Sequence, residues 1–394
     1  MGPCLLPSGP GRTRKVGRAM AHAYRFGIEE ELFLANSRTR AAPSESVSAF
    51  HKAARSRLEG VEREMLESQA EICSKPSASF DETHEALAKL RTGLCGIGRE
   101  HGLKVFAAGT HPTAIWTDQR ETAKVRYRKM IETLQMVGRR SIVSGLHVHV
   151  EVPEPDQRID LINRLMPFLP VLLALSTSSP FYERHRTGLA GYRLRAYAEL
   201  PRTGLPELFD GADDFERYVR VMTRAGAVED ATYFWWHIRP SIRYPTLELR
   251  VADSCTRLKD TLAIAALYRC LVRLCVRRPE LNARPTGASR GFVMENLWRA
   301  QRDGVHAALI DEAAEEAVPV RRLVERLLDL VAEDAAALGC NAQIAHALTI
   351  TECGSSADGQ IRAYEASLAA GGSERKALSG VIDWLARETA NCEA

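Results

Sequence analysis

The sequence has no C-x-x-C pair, no glycine-rich loop between a strand and a helix, no internal repeat and no low-complexity block. Each absence excludes something. Nine cysteines, an odd number without metal-ligand or redox spacing, predict reduced, mostly buried thiols in a cytosolic protein rather than a disulfide framework. Cys270 and Cys275, five apart on a predicted helix, point to different faces. Without a glycine-rich turn there is no backbone cradle for phosphate, so a nucleotide would have to be held by metal ions and arginines. No uninterrupted apolar run reaches the length of a bilayer span. The longest, 165–175, contains Pro167 and Pro170, which predicts a soluble protein.

A charge imbalance is also missing once its location is considered. The formal charge is +3, but residues 1–19 hold Arg12, Arg14, Lys15 and Arg18 and no acid, so removing those four leaves the remainder at −1. That argues against a nucleic-acid partner. The same stretch lacks the apolar core of a secretory signal. With Met20 just ahead of the first strand-like segment, residues 1–23 read as a disordered or misassigned extension. Residues 24–394 then form one catalytic domain with a helical C-terminal part. The composition, 45% hydrophobic and 26% charged, can bury a large core.

Alternation and helical spacing predict a strand at 24–34, a helix at 46–58, and a strand in the second half of 61–73. A helix over 81–101 closed by Gly102, a strand at 103–108, a helix at 121–138 and a strand at 142–152 follow. Asp156 is a plausible N-cap for a helical stretch down to Ser176. Residues 180–206 read as a long basic connection. A helix at 215–225, paired strands at 233–240 and 246–252, and a helix-dominated remainder complete the chain. Strands mostly preceding helices, without βα alternation, predict an α+β fold with a largely antiparallel sheet.

Residues i and i+2 of a strand share a face, and four segments use that face in the same way. Glu29 and Glu31 stand together, with Ile28, Glu30 and Leu32 opposite. If residues 67–72 are extended, Glu67, Gln69 and Glu71 line one face, although Glu64, Glu67 and Glu71 also fit a solvated helix. In Gly145-Leu146-His147-Val148-His149-Val150-Glu151, a Leu/Val stripe backs His147, His149 and Glu151. In Thr246-Leu247-Glu248-Leu249-Arg250-Val251-Ala252, Leu247, Leu249 and Val251 back Glu248 and Arg250, which could simply pair with each other. Arg239 lies just upstream. Clustered carboxylates with an imidazole suit Mg²⁺ or Mn²⁺, and arginines neutralise charge on a transferred phosphoryl group. The pattern predicts phosphoryl transfer without a P-loop.

The ordered set Gly27-Ile28-Glu29-Glu30-Glu31, residues 67–72, Gly109-Thr110-His111-Pro112, residues 145–150, Ile238-Arg239-Pro240-Ser241 and Leu247-Glu248-Leu249-Arg250-Val251 resembles the carboxylate–amine ligase branch of the glutamate–cysteine ligases, type 2. The resemblance runs from about Tyr24 to the C-terminus. It implies a glutamine synthetase-like fold, a curved antiparallel sheet flanked by helices. It also implies ATP and Mg²⁺ (or Mn²⁺) as cofactors, an acyl-phosphate intermediate, small-molecule partners (an amino-acid carboxylate and an amine), a cytoplasmic location and a possible homo-oligomer. By motif, Glu29, Glu31, Glu71, His147 and Glu248, with Glu64 as a further candidate, would hold the metal. Arg250 would contact the γ-phosphate, Arg193 and Arg239 the substrate carboxylate or phosphate. Thr110 and His111 would line the amino-acid pocket, and His149 would stand behind the ligands. Glu30 departs from the family's motif, which carries an apolar residue there, so it needs a partner on the helix side or an exposed position.

Two alternatives remain at this level. The H-x-H of residues 147–149 also occurs in metal-dependent amidohydrolases, although those carry it on the first strand with further histidines later. A non-catalytic nucleotide-binding homologue is the other, and the retained ionisable face argues against it.

Overall fold

The structure is a computed structural model that describes residues 22–393, the side chains of Val125 and Arg126 excepted. The predicted extension at 1–23 therefore falls almost wholly outside the described residues. The main sheet has seven strands: β1 (Phe26–Asn36), β2 (Val61–Arg63), β3 (Gln69–Cys73), β4 (Leu103–Phe106), β5 (Leu146–Glu151), β6 (Ile238–Pro240) and β7 (Thr246–Leu249). The helices that frame it are α1 (Ser48–Arg57), α2 (Phe80–Glu100), α3 (Val125–Leu134), α4 (Arg158–Leu165), α5 (Leu169–Ser176), α6 (Arg193–Tyr197), α7 (Leu258–Arg277) and α8 (Glu374–Ala390).

The strand order is β6-β7-β5-β1-β3-β2, with β4 also paired to β1, and every pairing in this sheet is antiparallel. β1 is the central strand because its two halves have different partners. Its first half lies between β5 and β3, and Phe33 near its end faces Gln69 and Phe106 at once. Phe26, Ile28, Leu32 and Leu34 point into the main core with α2 and α7. Phe33 and Ala35, on the opposite face, are covered by Leu378, Val381, Ile382 and Leu385 of α8. This explains the wholly apolar end of the strand, since both of its faces are buried there. The C-terminal helices thus complete the sheet's packing, and the main core extends from Tyr24 to Cys392.

Glu30 has the helix-side partner its position demands. Arg91 of α2 grips it with Nη2–Oε1 at 2.6 Å and Nε–Oε2 at 2.9 Å, both side chains being fully buried. Thr261 of α7 donates a third bond to the carboxylate, and Arg91 donates further to the carbonyls of Cys255 and Thr256. One buried polar cluster thereby ties β1, α2 and α7 together. Removing one member of such a pair leaves a charge buried and unmatched, at a cost of about 3–5 kcal/mol. Arg91→Met should lower stability by about that amount. Glu30→Leu with Arg91→Met should lose less than the single change in a denaturant melt, and equal losses would contradict a coupled pair.

Several predicted elements change. Helix 121–138 is shorter and broken: α3 ends at Leu134, and Gln135 (φ 53°, ψ −130°) separates it from a single turn, Met136–Arg139. Strand 142–152 is regular only from Leu146. Asp156 is not an N-cap; it lies in the 3₁₀ turn Pro155–Gln157, and no side-chain cap bond forms there. Nor do Pro167 and Pro170 interrupt the apolar run. Pro167 sits in the 3₁₀ turn Met166–Phe168 and Pro170 in the first turn of α5, where a missing N–H is tolerated. The run Pro155–Ser176 is long and apolar enough to span a bilayer, but 78% of its apolar window is buried inside the protein, as expected of a core helix. The basic connection 180–206 is structured, holding the hairpin Phe181–Tyr182 with His185–Arg186, then α6, then Thr203–Gly204 paired to Trp235–Trp236. Among the described residues all eight cysteines are free and five are buried.

Candidate active site

The period-2 alternation of four strands delivers the ionisable residues to one face of the sheet, and register sets which of them meet. Glu29 of β1 lies between His147 of β5 and Cys73 of β3. Glu31 faces Glu71 across the β1–β3 pair. Glu248 of β7 lies between His149 of β5 and Arg239 of β6. All of these side chains except Cys73, with Glu64 after β2, Arg250 after β7, and Arg193 and Tyr197 of α6, line a cavity of about 500 Å³. Gly145, just before β5, leaves the space that the Arg193 guanidinium occupies, and a Cβ there would displace it.

The cavity has two poles. At the acidic pole, Glu29 Oε2 lies 3.5 Å from His147 Nδ1, and Oε1 lies 3.4 Å from His149 Nε2. Burial pushes the Glu29 carboxyl up, but the hydrogen bonds from both imidazoles outweigh it, so it is held below the usual carboxylate range. Burial also opposes charge on His149, yet Glu29 and Glu248 together raise its pKa. His147 goes the other way, down to about 4, through burial and the charge of Arg250. It is therefore the neutral imidazole, the form that ligates cations.

Glu31 is pushed up to about 7 by burial and then by Glu64, although the Gly145 N–H donates to its Oε2 at 2.6 Å. Glu71 is also raised well above its ordinary value, by burial, Glu64 and Glu29. Buried carboxyls forced toward the neutral state are what a cluster shows when its charge has no counter-ion. Two further observations fit a cation among them. His147 Nε2 is buried without a hydrogen-bond partner. One ligand atom from each of Glu29, Glu71 and Cys73 lies within 4.8 Å of the others. The donor set present fits a divalent metal ion.

At the cationic pole Glu248 is buried and pinned by two guanidinium groups. Arg239 binds it bidentately at 2.6 and 3.0 Å, and Arg250 Nη1 reaches the same carboxylate. Although burial works against the charge, Arg250 and Arg239 hold its pKa well below the carboxylate range. Any cation near Glu248 would share its oxygens with these arginines. Arg193, almost fully buried, donates Nη1 to the carbonyls of Arg250 and Ala252, which fixes the backbone that carries Arg250. Arg250 Nη2 also reaches the Tyr197 hydroxyl at 3.4 Å. Three guanidinium groups against one carboxylate leave excess positive charge facing an acid-rich wall. Such a cavity can hold anionic groups and divalent cations side by side.

The family model for glutamate–cysteine ligase family 2 matches residues 25–380. The chain belongs to this family. Relatives provisionally named glutamate–cysteine ligase 2 include one from Bradyrhizobium diazoefficiens, 42% identical over 95% of this chain and 86% of its own. Another, from Rhodospirillum rubrum, is 44% identical over 93% of this chain and 96% of its own. Among solved structures, the glutamate–cysteine ligase of Francisella tularensis in complex with AMP superposes with a TM-score of 0.67 at 13% identity, covering 93% of this chain and 89% of that one. At that identity the likeness establishes the fold, which is the mixed, mostly antiparallel architecture expected from the sequence.

Within this family member the predicted site residues divide. Glu29, Glu31, Glu64, Glu71, His147, Glu248, Arg193, Arg239 and Arg250 converge on one cavity. Thr110 and His111 do not. Thr110 Oγ1 donates to the Phe181 carbonyl, and the His111 ring packs edge-on against Phe33 and Phe106 with Nε2 3.2 Å from the Leu34 carbonyl. Burial pushes His111 down to about 4. Both residues make contacts that hold the loop after β4. Glu67 leaves the face as well: β3 starts only at Gln69, and the Glu67 carboxylate accepts the Val47 N–H at 3.2 Å, just before α1.

Gln69, Tyr197 and Trp235 line the cavity and Cys73 lies beside Glu29 and Glu71, and of these only Gln69 is placed on the face by the sequence pattern. For Cys73 the same signal was available, since it too follows from Glu71 by alternation. Gln69 Nε2 bonds to the Val143 carbonyl and the Ser144 hydroxyl, bracing the approach to β5.

Proposed function

We propose that this chain is an ATP-dependent, ADP-forming carboxylate–amine ligase with glutamate–cysteine ligase-like activity, residues 24–394 acting as a single catalytic domain in the cytosol. The observation that carries this is the juxtaposition, on one sheet face, of a buried carboxylate–imidazole pole with a cluster of three arginines. Glu29, Glu31, Glu71 and His147, with Glu64 and Glu248 flanking, would hold Mg²⁺. When bound, Mg²⁺ would neutralise phosphate charge and orient the nucleotide.

The arginines do the remaining electrostatic work. Arg250, locked by Glu248 and Tyr197, faces the transferred phosphoryl group. Arg239 and Arg193 fix the anionic ends of the substrates. A carboxylate oxygen attacks the γ-phosphorus as the bond to ADP breaks. The amine nitrogen then attacks the acyl carbon, phosphate leaves and the nitrogen loses a proton. His149, seated against Glu29, positions that carboxylate. Family resemblance makes the γ-carboxylate of glutamate and the amine of cysteine the first pair to test. ADP release that requires both a carboxylate and an amine supports the proposal. Turnover without ATP, accompanied by tightly bound zinc, would favour a hydrolase instead.

The same site gives a pH-dependent signature. Glu31 binds its proton more tightly folded, at about 7, than at its ordinary value of 4.5, so its contribution to stability is lost as the pH rises between those values. Glu71 shifts in the same direction. Mg²⁺ competes with those protons, and its binding strengthens as they leave. The rise in melting temperature on adding Mg²⁺ should therefore be larger at pH 8 than at pH 5. Equal shifts at the two pH values would remove the acidic pole as the cation site.

A further inference from the structure

We propose that Cys73 makes the acidic pole a site for a thiophilic divalent cation, Cd²⁺ or Zn²⁺, bound through Glu29, Glu71 and the Cys73 thiolate in competition with Mg²⁺. This rests on the reading of that pole as the cation site. Cys73 follows Gln69 and Glu71 as the third residue that β3 turns toward the site, and its register partner on β1 is Glu29. Its Sγ donates to Glu71 Oε1 at 3.4 Å, and the three potential ligand atoms lie within 4.8 Å of one another. A separate feature beside them also points to a ligand. His147 is 4% exposed, its Nδ1 lies 3.5 Å from Glu29 Oε2, and its Nε2, 3.9 Å from Glu31 Oε1, has no hydrogen-bond partner.

The donor types decide the preference. Mg²⁺ favours an all-oxygen octahedron and gains nothing from sulfur, whereas a thiolate with carboxylates favours Zn²⁺ and its heavier congener. The Cys73 thiol donates its hydrogen to Glu71, so binding breaks the S–H bond as the S–metal bond forms, with the proton passing to solvent. Cys73 is only partly buried, so an ion can reach it. The predicted result is a ligase inhibited by soft metal ions at its own Mg²⁺ site, with no change in the oxidation state of the sulfur.

Titrating the full-length protein with Cd²⁺ in thiol-free buffer tests this directly through the ultraviolet sulfur-to-cadmium charge-transfer band. One equivalent should saturate the band with release of a proton, and excess Mg²⁺ should suppress it. Cys73→Ser should weaken Cd²⁺ binding by about 100-fold, the upper end of what losing even an outer partner of a metal ligand costs. Cys353→Ser, at the exposed thiol, should leave the band intact. Cys73→Ala serves in its place if the serine variant melts abnormally. A band that persists without Cys73, or one that Mg²⁺ cannot displace, overturns the proposal. A Cys73-dependent, Mg²⁺-displaceable band in a protein that binds no Mg-ATP would instead remove the ligase reading and leave the thiophilic site standing.

Discussion

Glu29→Gln is expected to lower ATP-dependent amide formation by about three powers of ten while leaving the melting temperature unchanged or slightly higher. The activity loss follows from position. Glu29 is the central carboxylate of the acidic pole, seated between His147 and Cys73 in register and held ionised by two imidazoles. Glutamine keeps the shape and removes the charge that a divalent cation requires. Losing several kcal/mol of transition-state stabilisation corresponds to roughly a thousandfold in rate. Stability should change little, because the lost contacts of ionised Glu29 with its two imidazoles are offset by relief of the repulsion felt by Glu71. Glu248 is a poorer probe, since removing its buried carboxylate leaves Arg239 and Arg250 without their partner. Steady-state ADP release and a thermal melt on the same preparation check both halves, and full turnover in the variant would contradict the assigned role.

Arg250→Met should reduce kcat by about 10³–10⁵, the range over which an arginine stabilises a transferring phosphoryl group. Contacts hold both terminal nitrogens of Arg250 and its carbonyl. Glu248 holds one nitrogen, Tyr197 lies at another, and Arg193 secures the Arg250 carbonyl from below. A guanidinium so fixed needs no reorganisation when charge develops, the condition under which electrostatic stabilisation is largest. Arg250→Lys keeps the charge but loses the planar fork, so it should fall between wild type and Arg250→Met. The loss should appear in kcat more than in the KM for ATP. A decrease of less than tenfold in Arg250→Met would place the phosphoryl group elsewhere in the cavity.

Much of this site was legible because a strand with one buried face has a period of two. The Leu/Val stripes of β5 and β7 identified His147, His149, Glu248 and Arg250 as residues of the other face, and the structure keeps that assignment. The same logic required a helix-side partner for Glu30. It could not name Arg91, which lies on a helix 61 positions away and carries no local mark of the pairing. Thr110 and His111 lie outside the cavity, as a conspicuous polar motif can also serve packing. Their polar atoms are spent on the carbonyls of Phe181 and Leu34.

Other errors came from elements too short or too strained to leave a pattern. The two-residue strands and five-residue helix between Pro180 and Pro206 are below any detectable period. The break after α3 occurs at Gln135, with positive φ and neither glycine nor proline to announce it. Cys73 was passed over because a cysteine in a strand ordinarily reads as core, although alternation from Glu71 places it on the site face.

The central claim is that a substrate carboxylate is phosphorylated by ATP before an amine displaces phosphate. Incubating the enzyme with Mg-ATP, cysteine and glutamate carrying oxygen-18 in its carboxylates, and analysing the products by mass spectrometry, tests it most directly. The account predicts an amide that has lost one labelled oxygen and inorganic phosphate that has gained it, in equal amounts and in step with ADP. Amide formed without transfer of label to phosphate would contradict it.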